Sequence, residues 1–469
     1  MILNRLNLLK CICFRFVRGG HHTLFAQKPL THILAIFIFL ILVTSFFVPP
    51  AMGQTDLEYI DITNPFFKKI PIAVPYFNPV SGLFDEKIVS KRASDLLAET
   101  LEFTGYMKAL DRGAFLINSP SDTLSRNINF PNWISIGAEL LITGGVQIQN
   151  DLLKMELRLY DTVNGRMLVG KRYKGRKKDE RKIVRRFCGE VLYSITGSRG
   201  FFDTKIAFVS TGSGNKEIYM CEFDGYDPKQ FTHKKKITLF PAWSSNGNWM
   251  AYTSFAKGKP DLYIEHIREK RGYYVAREGT NSTPAWIPGK FELAASLSFS
   301  GDQEIYLLTG RGKIIKRLTR TRGIDLSPSW SPDGKKMAFV SKRSGTPQIH
   351  IMDIDSGQVR RLTFEGRYNT QPSWSPKGDK IAYSAMEDGW TNILVIGIDG
   401  QGLIRLTHGQ RDNESPSWAP DGGLIVFSTT REGPSKIYVM TAYGTDQRRL
   451  LSLPGEQTNP KWSPRGINN

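Results

Sequence analysis

Pro328-Ser329-Trp330-Ser331-Pro332-Asp333-Gly334 decides the reading of this 469-residue chain, because its core recurs. Pro-x-Trp stands also at Pro241-Ala242-Trp243, Pro284-Ala285-Trp286, Pro372-Ser373-Trp374, Pro416-Ser417-Trp418 and Pro460-Lys461-Trp462. Successive tryptophans are 43, 44, 44, 44 and 44 residues apart. So even a period marks a repeat architecture, and its length suits one four-stranded propeller blade per repeat.

Each position of the motif has a physical reading. Proline has no amide donor, which suits the first residue of a strand. Tryptophan is a large apolar plate fit to pack between blades, as core and not as a ligand-stacking ladder. Ser-Pro-Asp-Gly is turn chemistry, with proline presetting φ and glycine completing the reversal. One repeat is expected to place strands at Ser329–Trp330, Lys336–Ser341, Gln348–Ile354 and Gln358–Thr363, and the next at Lys380–Ser384, Thr391–Ile398 and Leu403–Thr407.

The two ends of the repeat region complement each other. The last motif, Pro460 to Gly466, is followed by no further strands, and Lys205–Ser210, Glu217–Phe223 and Lys229–Thr232 are preceded by no Trp motif. Joined, they make one blade, so five intact repeats and one split repeat predict six blades. Closing a ring in this way removes exposed sheet edges. The propeller is assigned to residues 201–469.

Residues 54–197 read as a compact α+β domain. The expected order is a strand at Ile70–Phe77, a helix over Glu86–Thr104, a strand at Met107–Leu110, a brief helix at Ile134–Ala138, three strands from Leu140 to Tyr173 and a helix over Lys178–Ile195. Val163-Asn164-Gly165-Arg166 is a hairpin signal. Before this domain, Ile33–Val48 is apolar but for Thr44 and Ser45, basic residues precede it, and Ala51-Met52-Gly53 supplies small residues for cleavage. Residues 1–53 therefore read as an export signal placing the protein in the periplasm, with an uncleaved anchor as the alternative.

The net charge is +19, and the leader holds five bases and no acid, so the remainder keeps a surplus of 14. That surplus is spread without the basic–aromatic interleaving of a nucleic-acid surface, so no nucleic-acid partner is expected. Cys188 and Cys221 remain after the leader, either as one disulfide or as buried thiols in different domains. There is no Gly-x-Ser-x-Gly elbow, phosphate loop or dinucleotide fingerprint. His233 and His408 share a turn position, while His266 and His350 do not converge, so neither a metal, a cofactor nor catalysis is expected.

A binding surface remains. The residues just before each Pro-x-Trp should ring one mouth of the channel: Asn281-Ser282-Thr283, Asp325-Leu326-Ser327, Asn369-Thr370-Gln371, Asn413-Glu414-Ser415 and Gln457-Thr458-Asn459. Such polar loop residues suit hydrogen bonding to a protein, and are also simply good loop formers.

The chain resembles the TolB family, periplasmic components of the Tol–Pal envelope system. The resemblance rests on Ile72–Phe77, Ala138–Gly144, Phe223–Asp227 and above all Thr196–Phe208, where the propeller joins the preceding domain. It implies a non-enzymatic scaffold that binds the lipoprotein Pal at the channel mouth and TolA through the mature N-terminal segment, supports outer-membrane integrity during division, and meets envelope membranes only through partners. By position it implies Thr280, Asn281, Thr283 and Leu326 as Pal-facing, and the ring suggests Asn369, Thr370, Gln371 and Asn413 beside them. The TolA segment falls within Gln54–Asn64, where Leu57, Tyr59 and Ile60 belong to an alternating stretch able to add a strand to a partner sheet. The long leader, the basicity and Trp286-Ile287-Pro288-Gly289 depart from the family pattern. The competing expectation is a propeller enzyme or binding protein for envelope polysaccharide, which would need His and carboxylates converging in the channel.

Overall fold

The computed structural model of the chain describes residues 68–116, 128–409 and 411–466. The export signal and the Leu57–Ile62 strand expectation lie outside these residues.

The first part of the described chain is a mixed sheet with helices against it. Its strands are β1 (Ile70–Ala73), β2 (Asn78–Pro79), β3 (Met107–Ala109), β4 (Leu140–Gln149), β5 (Leu152–Asp161) and β6 (Arg166–Arg176). Their order is β3-β1-β4-β5-β6, with β2 also paired to β4. β1 runs parallel to β3 and β4, while β4, β5 and β6 form an antiparallel meander. β1 stops short of the expected Phe77, since Pro75 supplies no amide for the ladder.

Helix α1 (Phe84–Phe103) buries Val89, Ala93, Leu97 and Leu101, one face at a four-residue spacing. Its buried Glu86 accepts from the Ser81 and Ile148 amides at 2.7 and 2.8 Å, tying the helix start to β4. Helix α2 (Phe130–Ser135) is short and begins earlier than expected, on Phe130-Pro131, because proline fits a first turn. Helix α3 (Glu180–Thr196) buries Ile183, Val184, Phe187, Val191 and Leu192 and ends at Gly197, whose φ of 73° is the left-handed cap that favours glycine.

From Lys205 onward the chain forms six four-stranded antiparallel sheets, the predicted propeller. The innermost strands are Thr238–Trp243, Asn281–Trp286, Asp325–Trp330, Tyr368–Trp374, Asn413–Trp418 and Gln457–Trp462. The last pairs with Lys205–Ser210, Gln457 opposite Ser210 and Trp462 opposite Ile206, so the split blade closes as expected. Outer strands are shorter than predicted. In the third blade the outermost runs only Val359–Arg361. Thr363 there turns inward, where its Oγ1 accepts from the Ile349 amide (3.0 Å) and donates to Gln348 Oε1 (2.7 Å).

The motif prolines do not begin their strands. Each is the fourth residue of a six-residue strand, or the fifth in Tyr368–Trp374. The ladder shifts register across each of them, between Ser282 and Ala285 for example. A bulge accommodates a residue with no amide, so strand pairing resumes on both sides. The residues before the prolines are thus strand residues rather than connectors.

The six tryptophans are 5–8% exposed and seal the seams between blades. Four donate Nε1 to a carbonyl of the preceding blade: Trp243 to Lys461 (3.0 Å), Trp286 to Ala242 (3.1 Å), Trp330 to Ala285 (3.1 Å) and Trp418 to Ser373 (3.0 Å). This satisfies the one polar atom of each buried ring. Trp374 turns to Gly378 O and Trp462 to Thr204 Oγ1.

The two parts share one apolar core. Leu97, Phe187 and Val191 belong to the same buried cluster as Phe201, Phe223 and Trp462. Arg185 on α3, with 8% of its side chain exposed, pairs with Glu222 and with Asp224 at 2.9 Å, and Arg181 lies 3.9 Å from the Tyr226 ring centroid. Arg448 lies 4.4 Å from the Phe103 ring centroid, and Lys69 pairs with Asp446. Asp224 and Asp446 sit in turns that follow the third strands of their blades. A third strand runs in the same direction as the innermost one, so those turns and the tryptophan ends share a face. The α+β part therefore covers the face where innermost strands end. The opposite face, where they begin, is left to the rim.

Candidate functional site

Six residues that precede the motif prolines form a ring around the channel. Phe240, Thr283, Ser327, Gln371, Ser415 and Asn459 all have left-handed φ, between 47° and 57°. None is glycine, and Thr283 is β-branched, so the conformation is held against its own preference. Strain of this kind concentrates at functional positions when the surrounding fold enforces it. Here the enforcement is visible as bonds between blades. The Ser327 amide donates to Thr283 Oγ1 (3.2 Å), the Ser415 amide to Gln371 Oε1 (2.9 Å), and Asn459 Nδ2 to Ser415 Oγ (3.1 Å). With the prolines and Lys461 the ring lines a cavity of about 100 Å³.

Farther toward the rim a residue at or next to the start of most innermost strands is a buried clamp. Asn281 Nδ2 donates to the Arg277 carbonyl (2.8 Å) and reaches Asp261 Oδ1 (3.3 Å). Asn369 Nδ2 donates to Gln348 Oε1 (2.8 Å) and to the Glu365 carbonyl (2.7 Å). Asn413 Nδ2 donates to the Arg411 carbonyl (3.0 Å). In the third blade Asp325 takes this place and accepts from Arg343 at 2.9 Å. Asn281 and Asn369 thereby fold a connecting loop onto the blade before it, Asn413 ties its own loop, and Asp325 ties a turn of its own blade.

The residues expected to bind partners thus divide. Asn281, Asn369 and Asn413 are buried, and their amides serve the fold. Thr283 and Gln371 meet in the channel ring. Thr280, Leu326 and Thr370 are part-exposed on the rim, and Leu326 leans against the core shared by the third and fourth blades. Leu57, Tyr59 and Ile60 lie outside the described residues.

The structure adds apolar residues to the same face. Phe364 is 72% exposed, and Ile237, Phe299, Tyr368 and Met386 are also exposed. Ile237 and Phe364 sit in connections between blades, Phe299 in a second-to-third-strand turn, Tyr368 at the start of an innermost strand and Met386 near the end of a second strand, positions that by strand direction share the rim. Exposed aromatics grouped on one face are the material of interface anchors. A sequence signal existed for Phe364. It follows the inward-turning Thr363, where three other repeats carry His233, Arg320 and His408.

Among the described residues no group of three or more His, Cys, Asp or Glu could hold a metal ion. His233 and His408 are exposed, while His350 is buried against Phe339, its pKa lowered by desolvation. Cys188 and Cys221 are free buried thiols. Burial pushes the pKa of both upward.

Comparison with known proteins gives consistent results. A family model described as the TolB beta propeller domain matches residues 193–466, and one described as the TolB amino-terminal domain matches residues 58–168. The Tol-Pal system protein TolB of Desulfosudis oleivorans is 56% identical over 275 residues, covering 58% of this chain and 63% of that protein. The protein TolB homolog of Chlorobium chlorochromatii is 42% identical over 279 residues, covering 60% and 62%. The matched stretch spans less than two thirds of either relative. A crystal structure of TolB from Acinetobacter baumannii aligns with a TM-score of 0.75 at 26% identity, over 85% of this chain and 97% of that one.

Proposed function

The chain belongs to the TolB family, and from that premise we propose that it is a non-enzymatic periplasmic scaffold of a Tol–Pal system, binding a Pal-type lipoprotein on the propeller rim. The observation that carries this reading is the rim face, which the described residues leave free. The α+β part occupies the other end of the ring, so the channel mouth and the exposed Phe364, Tyr368 and Met386 stay open to a protein. Thr280, Leu326 and Thr370 supply the rim contacts, while Thr283 and Gln371 hold the ring. Asn281, Asn369 and Asn413 act indirectly, by fixing the loops that present them. Domain limits at 54–197 and 201–469 follow from the same reading.

The segment with Leu57, Tyr59 and Ile60 engages a TolA-type protein by adding a strand to its sheet. Through these two contacts the scaffold links the outer membrane to the inner during division.

The test is capture of the soluble domain of a Pal-type lipoprotein by the protein lacking its leader, beside the variants Phe364→Arg and Thr370→Arg. Both positions are exposed or part-exposed, so the fold should survive. The expected result is capture by the parent and loss in both variants. Equal capture by all three would place the partner elsewhere, and no capture by any would remove the assignment.

A further inference from the structure

The channel carries one residue that its symmetry does not call for. At the position after each motif proline the blades have Ala242, Ala285, Ser329, Ser373 and Ser417, and the sixth has Lys461. Among the residues lining the channel cavity Lys461 is the sole charged one. Among the described residues its ammonium has neither a hydrogen-bond acceptor nor an ion-pair partner. The residue as a whole is part-buried. Yet protein surrounds it closely enough that desolvation lowers its pKa, with no neighbouring acid to raise it.

The other polar groups of the ring are oriented by the bonds between blades. Gln371 Oε1 accepts from Ser384 Oγ (2.8 Å) and from the Ser415 amide (2.9 Å), which turns the Nε2 donors to the free end of the side chain. Ser327, also in the lining, makes its ring bond through its backbone amide, so its hydroxyl is not consumed by that bond. The cavity of about 100 Å³ therefore holds a cation, amide donors and a hydroxyl. A liquid water occupies roughly 30 Å³, so the space suits a group of a few heavy atoms. An ammonium in a narrow, poorly solvated channel is stabilised most by an oxyanion that can accept from it and from nearby donors together.

We propose that the propeller channel is a carboxylate-binding site seated on the Lys461 ammonium, with Gln371 and Ser327 as supporting donors. A free small carboxylate and an acidic side chain of a docked protein share this chemistry. The second source rests on the rim reading, whereas the seat itself does not.

The probe is sodium acetate replacing sodium chloride at fixed ionic strength, with thermal unfolding as the readout. The parent should show a saturable rise in midpoint, absent with acetamide. Lys461→Met should abolish the rise and Lys461→Arg should keep it. Methionine there fills the space without charge, in a position where five blades carry small uncharged residues. Lysine-selective ¹³C NMR gives a second readout on the unmutated residue: acetate should raise the pKa of the Lys461 ammonium. An acetate response equal in all three proteins, or no response in the parent and no change in the lysine signal, overturns the proposal. A second arm assigns the source by comparing a Pal-type domain binding to the parent and to Lys461→Met. A loss of about tenfold or more assigns the seat to a docked acidic side chain, and unchanged affinity to a free carboxylate.

Discussion

Asn369 shows why a polar rim residue need not be a contact residue. Its amide joins Gln348 and the Glu365 carbonyl at 2.8 and 2.7 Å inside the blade. Asn369→Ala removes both bonds and leaves Gln348 Oε1 with Thr363 as its remaining donor, so it should cost about 1–2 kcal/mol of stability, measured by urea unfolding. Its effect on partner capture should follow only from loosening of the loop. In the sequence, Asn281, Asn369 and Asn413 looked like Thr280 and Thr370, because residue type does not reveal which side of a strand is buried. The cysteines give a second test at this scale. Cys188 and Cys221 are fully buried, and desolvation disfavours their thiolates. Both should resist alkylation by iodoacetamide in the folded protein at pH 8 and react once it is unfolded in guanidinium. Fast labelling of the native protein would contradict the packing described.

At the scale of the element, the Pro-x-Trp strand does two jobs: its tryptophan seals a seam, and its bulge supplies the channel ring. The first was legible, since a large apolar residue every 43 or 44 positions marks one packing seam per repeat. The second was not. Left-handed φ is usually signalled by glycine or asparagine, and only Asn459 of the six ring residues is of that kind. The enforcing bonds come from the neighbouring blade, 44 residues away for the Ser327 amide and Thr283, so no local pattern records them. Ser327 separates conformational strain from side-chain chemistry. With φ at 55°, Ser327→Gly should be tolerated, while Ser327→Val should lose about 1–2 kcal/mol by crowding in the left-handed region. Comparing the two midpoints in urea tests whether the ring is held against its preference. Equal stabilities would mean that it is not.

Over the whole molecule, ring closure and domain order were legible, because the leftover strands at the two ends summed to one blade. How the α+β part is fixed to the ring was not, since it depends on side chains far apart in sequence, such as Arg448 on Phe103 and Arg185 on Asp224. Arg185 is the most buried of these charges, and removing it leaves Glu222 and Asp224 to Arg181 alone. Arg185→Ala should cost about 1.5–3 kcal/mol and split a single calorimetric transition into two. Among the described residues the same attachment leaves one face of the propeller for a partner, and that is the central claim. Hydrogen exchange of the protein with and without the soluble domain of a Pal-type lipoprotein tests it most directly. Protection is predicted at the rim, in 279–283, 324–327 and 364–371, and not in the turns around Asp224 and Asp446. Protection confined to those turns or to the α+β part, with the rim unchanged, would contradict the account.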